Sequence, residues 1–108
     1  MAKYLLIQSR DPFETNEVAR DYEWAASLAG AGNGVTLFLV QNGVLPARKG
    51  ARRNGLESLV ARGVEVLTDE FSLRERGISK GALAEGVKVS TLDVVIDQLA
   101  EGRKAIWL

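Results

Sequence analysis

Apolar residues along the chain fall into five short runs, separated by polar stretches and by stretches with helical spacing. The first two runs, YLLIQ and VTLFLVQ, are almost continuously apolar, which is typical of strands covered on both faces of a sheet. The alternation of such runs with helical segments predicts parallel strands joined by helices. The five predicted strands cover residues 4–8, 35–41, 64–67, 87–89 and 105–108.

The stretch between the first two runs predicts an amphipathic helix. Asp11, followed by Pro12 and Glu14, resembles an N-cap, with Thr15 as the alternative cap. The helix is expected to end in the GAGNG segment at residues 30–34. A nucleotide-binding loop has a similar composition, but it follows a strand and opens a helix, so we interpret these glycines as a turn. The predicted apolar face consists of Val18, Tyr22, Ala25, Ala26 and Ala29.

Three further helices are predicted. One covers about residues 54–62 and ends at Gly63, and a short one follows the third strand and runs to residues 76–77. The last begins after a cap at Ser90 or Thr91 and is closed by Gly102. Its apolar positions, Leu92, Val95, Ile96 and Leu99, follow the spacing of an amphipathic helix.

These elements together predict the fold class. Connections between neighbouring parallel strands are right-handed, which places the helices on both faces of the sheet. We therefore predict an α/β fold, a single small doubly wound domain over residues 1–108. Its sheet is expected to be mostly parallel, with four or five strands.

Composition narrows the range of functions. Fourteen basic and fourteen acidic side chains cancel, so we expect no nucleic-acid partner. No stretch approaches the roughly 20 apolar residues that cross a bilayer, so we expect a cytoplasmic protein without a membrane partner. The chain contains no cysteine and no histidine, which excludes a thiol intermediate and leaves oxygen ligands alone for a metal. We expect no catalytic residue, metal or cofactor.

Polar residues follow the ends of the predicted strands, where open α/β sheets bind ligands. Helix caps and turns require the same residue types, so capping is the simpler interpretation of these positions. Asp69 in particular lies at a predicted helix start, where the helix dipole favours a carboxylate. The candidate ligand-binding residues are Ser9, Arg10, Asp11, Gln41, Asn42, Gly43, Thr68 and Asp69 after the strands, and Arg76 at the end of the short helix that follows the third strand.

Basic residues are in local excess between Pro46 and Gly63. Charged loops are commonly just solvated, and the alternative is contact with an anion or with an acidic partner. The candidates for such contact are Arg48, Lys49, Arg52 and Arg53. Trp24 and Trp107 are also candidates for a partner surface, because large aromatic residues at such positions are either partly buried in the core or anchors of an interface.

Four segments resemble the DsrE/DsrF/DsrH sulfur-relay superfamily, which includes the TusBCD-like proteins. They are SRDPFE after the first strand, LFLVQNGV through the second, LTDEFSLRERGI at the third, and GVKVSTLDVVIDQLAEGRKAIW at the end. The resemblance covers nearly the whole chain. It implies a small α/β domain with a parallel sheet, and a homo-oligomer or a hetero-oligomer with related subunits.

The resemblance also implies where the chemistry of the family would lie. In sulfur-carrying members, a cysteine near the end of the third strand holds a persulfide, and here that stretch reads Leu67-Thr68-Asp69-Glu70. Neither a hydroxyl nor a carboxylate forms a persulfide, so the carrier activity is not expected in this chain. We predict a non-catalytic scaffold or binding subunit, with small-molecule or anion binding in the strand-end crevice as the alternative. Metal-assisted catalysis by carboxylates ranks last.

Overall fold

The computed structural model describes residues 2–51 and 55–108 and places five strands in one parallel sheet. The strands are ordered β4-β3-β2-β1-β5 across the sheet. Their bounds are β1 Lys3–Gln8, β2 Gly34–Leu39, β3 Glu65–Asp69, β4 Lys88–Ser90 and β5 Lys104–Trp107. All five predicted strands are present, and the predicted α/β class with a parallel sheet is confirmed.

The helices differ in length and in the face of the sheet they cover. Their bounds are α1 Glu17–Gly30, α2 Leu56–Ala61, α3 Glu70–Glu75 and α4 Asp93–Ala100, with 3-10 segments at Gln41–Ala47 and Lys80–Ala82. α1, α2 and α3 pack in one apolar cluster with Leu6, Leu37 and Val66 of the central strands. α4 packs on the opposite face. None of the described helices is long and apolar enough to cross a membrane.

The first helix begins later than the sequence predicts. Asp11 does not cap it, because its Oδ1 accepts a hydrogen bond from the backbone N–H of Phe13 (3.2 Å) and so closes a separate turn. The alternative cap, Thr15, accepts a hydrogen bond from the N–H of Glu17 (3.2 Å), where the helix starts. Short polar side chains that bond to nearby backbone compete with helix formation, which explains the delay.

The apolar stripe of α4 is divided between the sheet and the surface. Val95, with Val94 beside it, packs against Leu5 and Phe38 of the sheet. The other three positions of the predicted face are exposed, namely Leu92, Ile96 and Leu99. A helix face aimed wholly at a core would bury all four, so this stripe is wider than the contact with the sheet.

A buried polar contact fixes the rotation of α4. Gln98 is buried, and its Nε2 donates a hydrogen bond to Oγ1 of Thr36 in β2 (3.3 Å). Arg103, just before β5, donates to the same oxygen (3.1 Å), and the Thr36 hydroxyl donates to Glu65 (2.9 Å). Because Gln98 faces the sheet, Leu99 is turned towards solvent.

Candidate functional site

A chain of hydrogen bonds joins the carboxyl ends of β2 and β3. The backbone N–H of Gln41 donates to Oγ of Ser72 (2.8 Å), and the Ser72 hydroxyl donates to Oδ2 of Asp69 (2.6 Å). The same carboxylate oxygen accepts the N–H of Ser72 (3.1 Å), so Asp69 caps α3 as the capping interpretation predicts. Asp69 and Ser72 are both buried, and their polar atoms satisfy one another.

Gln41 has an unusual backbone conformation. Its φ of 52° lies in the left-handed region, and it is the one described non-glycine residue there. The predicted second strand extends through residue 41, but β2 ends at Leu39 and the chain turns at Gln41 into a 3-10 segment. Left-handed non-glycine residues cost about 1–2 kcal/mol each and tend to occur where surrounding contacts hold them. Here the bond to Ser72 is such a contact.

Asn42 and Arg76 form the exposed rim of this network. Oδ1 of Asn42 accepts two hydrogen bonds from Arg76, from Nε (3.2 Å) and from Nη2 (3.0 Å). Arg76 Nη1 donates to the backbone carbonyl of Ser72 (3.2 Å), and Asn42 Nδ2 donates to Glu14 (2.9 Å). The rim therefore links the loop after β1, the loop after β2 and the end of α3.

Gly43 lies where two backbone segments are in close contact. A Cβ on this residue would overlap the carbonyl oxygen of Gln8 at the end of β1. That oxygen also accepts the backbone N–H of Val40 (3.0 Å), which fixes its position. Glycine is required at this position because any other residue would place a Cβ in the contact.

Arg10 faces the start of α1, on the side of the crevice next to β1. It forms ion pairs with Glu17 (2.9 Å) and Asp21 (3.4 Å), and Asp21 also accepts a hydrogen bond from the buried Gln8 (2.7 Å). The hydrogen bond between Arg10 and Glu17 raises the pKa of Arg10 and lowers the pKa of Glu17. The pair is exposed to solvent, so we expect it to orient the Arg10 side chain more than it stabilises the fold.

The remaining candidates after the strands lie outside this network. Ser9 is half-buried beside Arg10, and Asp11 is buried in the turn before α1. Thr68 is fully buried, and its hydroxyl donates to the backbone carbonyl of Lys88 in β4 (2.9 Å). Thr68 therefore stabilises strand pairing and does not face the crevice.

The two described basic candidates, Arg48 and Lys49, make their contacts outside the crevice network. Arg48 donates through Nε to the carbonyl of Leu45 (2.9 Å) and pairs with Leu83 in an isolated antiparallel bridge. The backbone of Lys49 donates to Ala82 (2.7 Å). Their role in binding an anion or a partner stays a prediction. The other two basic candidates, Arg52 and Arg53, lie outside the described residues.

The sequence analysis missed Ser72, Glu14 and Asp21. Ser72 had a local signal, because the third residue of a helix is where a capping carboxylate finds its N–H partner. Glu14 and Asp21 had none, because they reach Asn42 and Arg10 through the folded arrangement of separate loops. Within residues 2–51 and 55–108, no group of three or more acidic side chains is placed to hold a metal ion.

Tyr22 of α1 is a buried group close to this crevice. Its hydroxyl is enclosed and makes no hydrogen bond within the part of the chain that the structure describes. Burial raises the pKa of Tyr22 well above its usual range, and the negative charges of Asp11 and Asp21 raise it further. The folded state therefore strongly favours the neutral phenol.

Tyr22→Phe is expected to make the protein more resistant to alkaline unfolding. Folding raises the pKa of Tyr22, so the neutral phenol contributes fully to the free energy of unfolding below the unfolded-state pKa of about 10. This contribution is lost as the pH rises above that value. The loss amounts to about 1.4 kcal/mol per pH unit until the folded-state pKa is reached. At neutral pH the variant is expected to be at least as stable, because it removes a buried hydroxyl that has no hydrogen-bond partner among the described residues.

Urea unfolding of both proteins at neutral pH and at about pH 11 measures this difference, because other titrating groups are common to both. An identical loss of stability with pH in the two proteins would contradict the assignment to Tyr22.

A second feature of the surface is a set of exposed apolar side chains, here called the apolar patch. Its members belong to α4 and the residue before it, to β5 and to α3, and are between 50 and 67% exposed. Leu92 borders one depression together with Phe71 and another together with Ile96 and Trp107, and Leu99 follows Ile96 by three positions on α4. The apolar patch consists of Phe71, Leu92, Ile96, Leu99 and Trp107.

A groove of about 430 Å³ runs beside the apolar patch. Its floor is formed by Ile7, Phe38 and Val40, its walls by α4 and Trp107, and Gln41 lies at one end. Among the described residues, none that lines the groove is charged. The described residues thus offer two different surfaces, a polar crevice whose groups are bonded to one another and an apolar groove open to solvent.

Comparison with known proteins places the chain in a family. Residues 2–108 match the model of the DsrE/DsrF-like family. No curated protein matches. Among solved structures, a protein of unknown function from Methanobacterium thermoautotrophicum, MTH1491, is similar with a TM-score of 0.87 and 19% identity over 100% of both chains. The ychN protein from E. coli is similar with a TM-score of 0.85 and 24% identity, again over 100% of both chains.

A third similar structure is a conserved protein of unknown function from Bacteroides thetaiotaomicron, BT1422. Its TM-score is 0.69 at 12% identity, with 98% of this chain and 94% of that chain covered. At these identities the solved structures support the fold alone, whereas the family match extends over almost every residue. Members of the family often form oligomers. The chain belongs to the DsrE/DsrF-like family, and it is a member without cysteine.

Proposed function

We propose that this protein is a non-catalytic member of its family that works as an oligomeric scaffold or binding subunit, alongside cysteine-bearing relatives in intracellular sulfur transfer. The proposal rests on the residues found at the carboxyl end of β3. Asp69 lies there as a helix cap, bonded to Ser72, and the chain has no thiol anywhere. A persulfide requires a thiolate sulfur as both nucleophile and leaving group.

The polar groups at this end of the sheet support the same proposal. The Ser72 hydroxyl donates to one group and accepts from another, and Arg76 is held by Asn42 and a backbone carbonyl. Groups bound in this way stabilise the positions of three loops, so they favour a structural role over a chemical one. Binding of a small molecule or an anion in this crevice stays the alternative prediction.

Native mass spectrometry of the protein isolated from its own cells tests the proposal. We expect masses above that of one chain, corresponding to a homo-oligomer or to a complex with related subunits. A cysteine-bearing relative in the complex would connect the protein to sulfur transfer. A protein that is strictly monomeric at working concentration, with no bound subunit, would contradict the proposed function.

A further inference from the structure

We infer that the apolar patch and its groove form a contact between two copies of this chain. The inference rests on the proposed function, because it identifies the partner and the surface through which the subunit assembles. Leu92, Ile96 and Trp107, each more than half exposed, border one groove, and Phe71 shares a second depression with Leu92. Together they expose an area on the order of several hundred Å², the size at which apolar patches on monomers mark interaction sites.

The shape of this face suits a second copy. Trp107 and Ile96 are the most exposed members of the patch, and both border the groove of about 430 Å³. A projection next to a depression is self-complementary, because each subunit then places its projecting side chains in the groove of the other. A tryptophan that fills an apolar pocket is also among the most frequent energetic centres of protein interfaces.

The charges around the patch are compatible with self-association. The described residues that line the groove are all uncharged, so facing copies bring no like charges from them together at the centre of the contact. Asp93 and Asp97 lie on the same helix as Ile96, but about 60° and 100° from it around the helix axis, given 100° per residue. Neither lines the groove, and Asp93 borders the neighbouring depression between Phe71 and Leu92, so both exposed carboxylates lie at the rim of the groove, where solvent still reaches them.

Lysine substitution within the patch tests the surface. Ile96→Lys places a charge at the centre of the contact, and its exposure in the monomer means that the fold is expected to tolerate it. Phe13→Lys is the matched control, because Phe13 is similarly exposed but belongs to the loop before α1. Sedimentation equilibrium is expected to show self-association weakened about 100-fold in the first variant and unchanged in the second.

The fluorescence of Trp107 gives a readout that does not depend on a disruptive substitution. Trp24→Phe leaves Trp107 as the sole tryptophan, since the chain contains two. As the concentration of this variant rises and the protein assembles, the emission of Trp107 is expected to shift to shorter wavelength. Emission that stays typical of an exposed indole in the assembled protein would overturn the inference.

The outcomes separate this inference from the proposed function. If Ile96→Lys assembles as the natural protein does, the inferred contact surface is wrong, and the proposed role as an oligomeric subunit is unaffected. Equal loss of assembly in Phe13→Lys would also overturn the surface. A natural protein that remains a monomer and binds no related subunit would remove the proposed function and this inference together.

Discussion

Gly43→Ala is expected to destabilise the protein by about 3 kcal/mol or more. The added Cβ would overlap the carbonyl oxygen of Gln8 and lie 3.0 Å from its carbonyl carbon. Both are backbone atoms, and the oxygen is bonded to the N–H of Val40, so neither side of the contact is free to move. Relief of the overlap would break that bond or displace the start of the 3-10 segment. Urea unfolding monitored by circular dichroism measures the effect.

Gly30→Ala is the matched control. Gly30 is the last residue of α1, and a Cβ there would have no atom within 4 Å. Because alanine has the higher helix propensity, this variant is expected to be unchanged or more stable by up to about 1 kcal/mol. Equal stability of the two variants would show that the contact between Gly43 and Gln8 does not constrain the fold.

Ser72→Ala is expected to destabilise the protein by about 2 kcal/mol. The substitution leaves the backbone N–H of Gln41 without its partner and removes the hydroxyl that donates to Asp69. The cost is larger than that of an average hydrogen bond because the serine is buried and because Gln41 is held in the left-handed region by this bond.

Ser58→Ala provides the comparison, since Ser58 is an exposed residue of the short helix α2. Loss of this hydroxyl is expected to change stability by less than about 0.5 kcal/mol. Hydrogen exchange at Gln41 adds a local measurement, and exchange there should accelerate in Ser72→Ala alone. Unchanged exchange at Gln41 in that variant would contradict the role of the Ser72 hydroxyl as its partner.

The crevice shows how far residue types at strand ends predict a site. Asn42 was a candidate because it follows a predicted strand, whereas Arg76, 34 positions later, was a candidate because it ends the short helix in a stretch that resembles the family. Parallel strands bring such ends to one edge of the sheet, which is why this part of the site was predictable. Thr68 was also a candidate on the same ground, but its hydroxyl points along the sheet to Lys88. The direction of a side chain at a strand end depends on strand register.

α4 shows the opposite case. The spacing of its apolar residues predicts an amphipathic helix. It does not distinguish the residues that pack on the sheet from those that stay exposed. Tertiary structure separates the two, because Thr36 binds Gln98 and thereby fixes the rotation of the helix. Trp107 is exposed in the same structure. The sequence allowed two interpretations of this residue, partial burial in the core and an anchor of an interface.

The sequence by itself determined the order of strands and helices, the α/β class, the family and the absence of a thiol. The order and the class follow from local periodicity, the absence of a thiol follows from composition, and the family follows from the resemblance of four segments. Only the tertiary structure decided that Ser72 holds Gln41 and Asp69, that Gly43 touches the end of β1, and that three of the four positions in the apolar stripe of α4 face solvent. Those properties depend on distances between segments far apart in the chain, which the packing of the sheet sets.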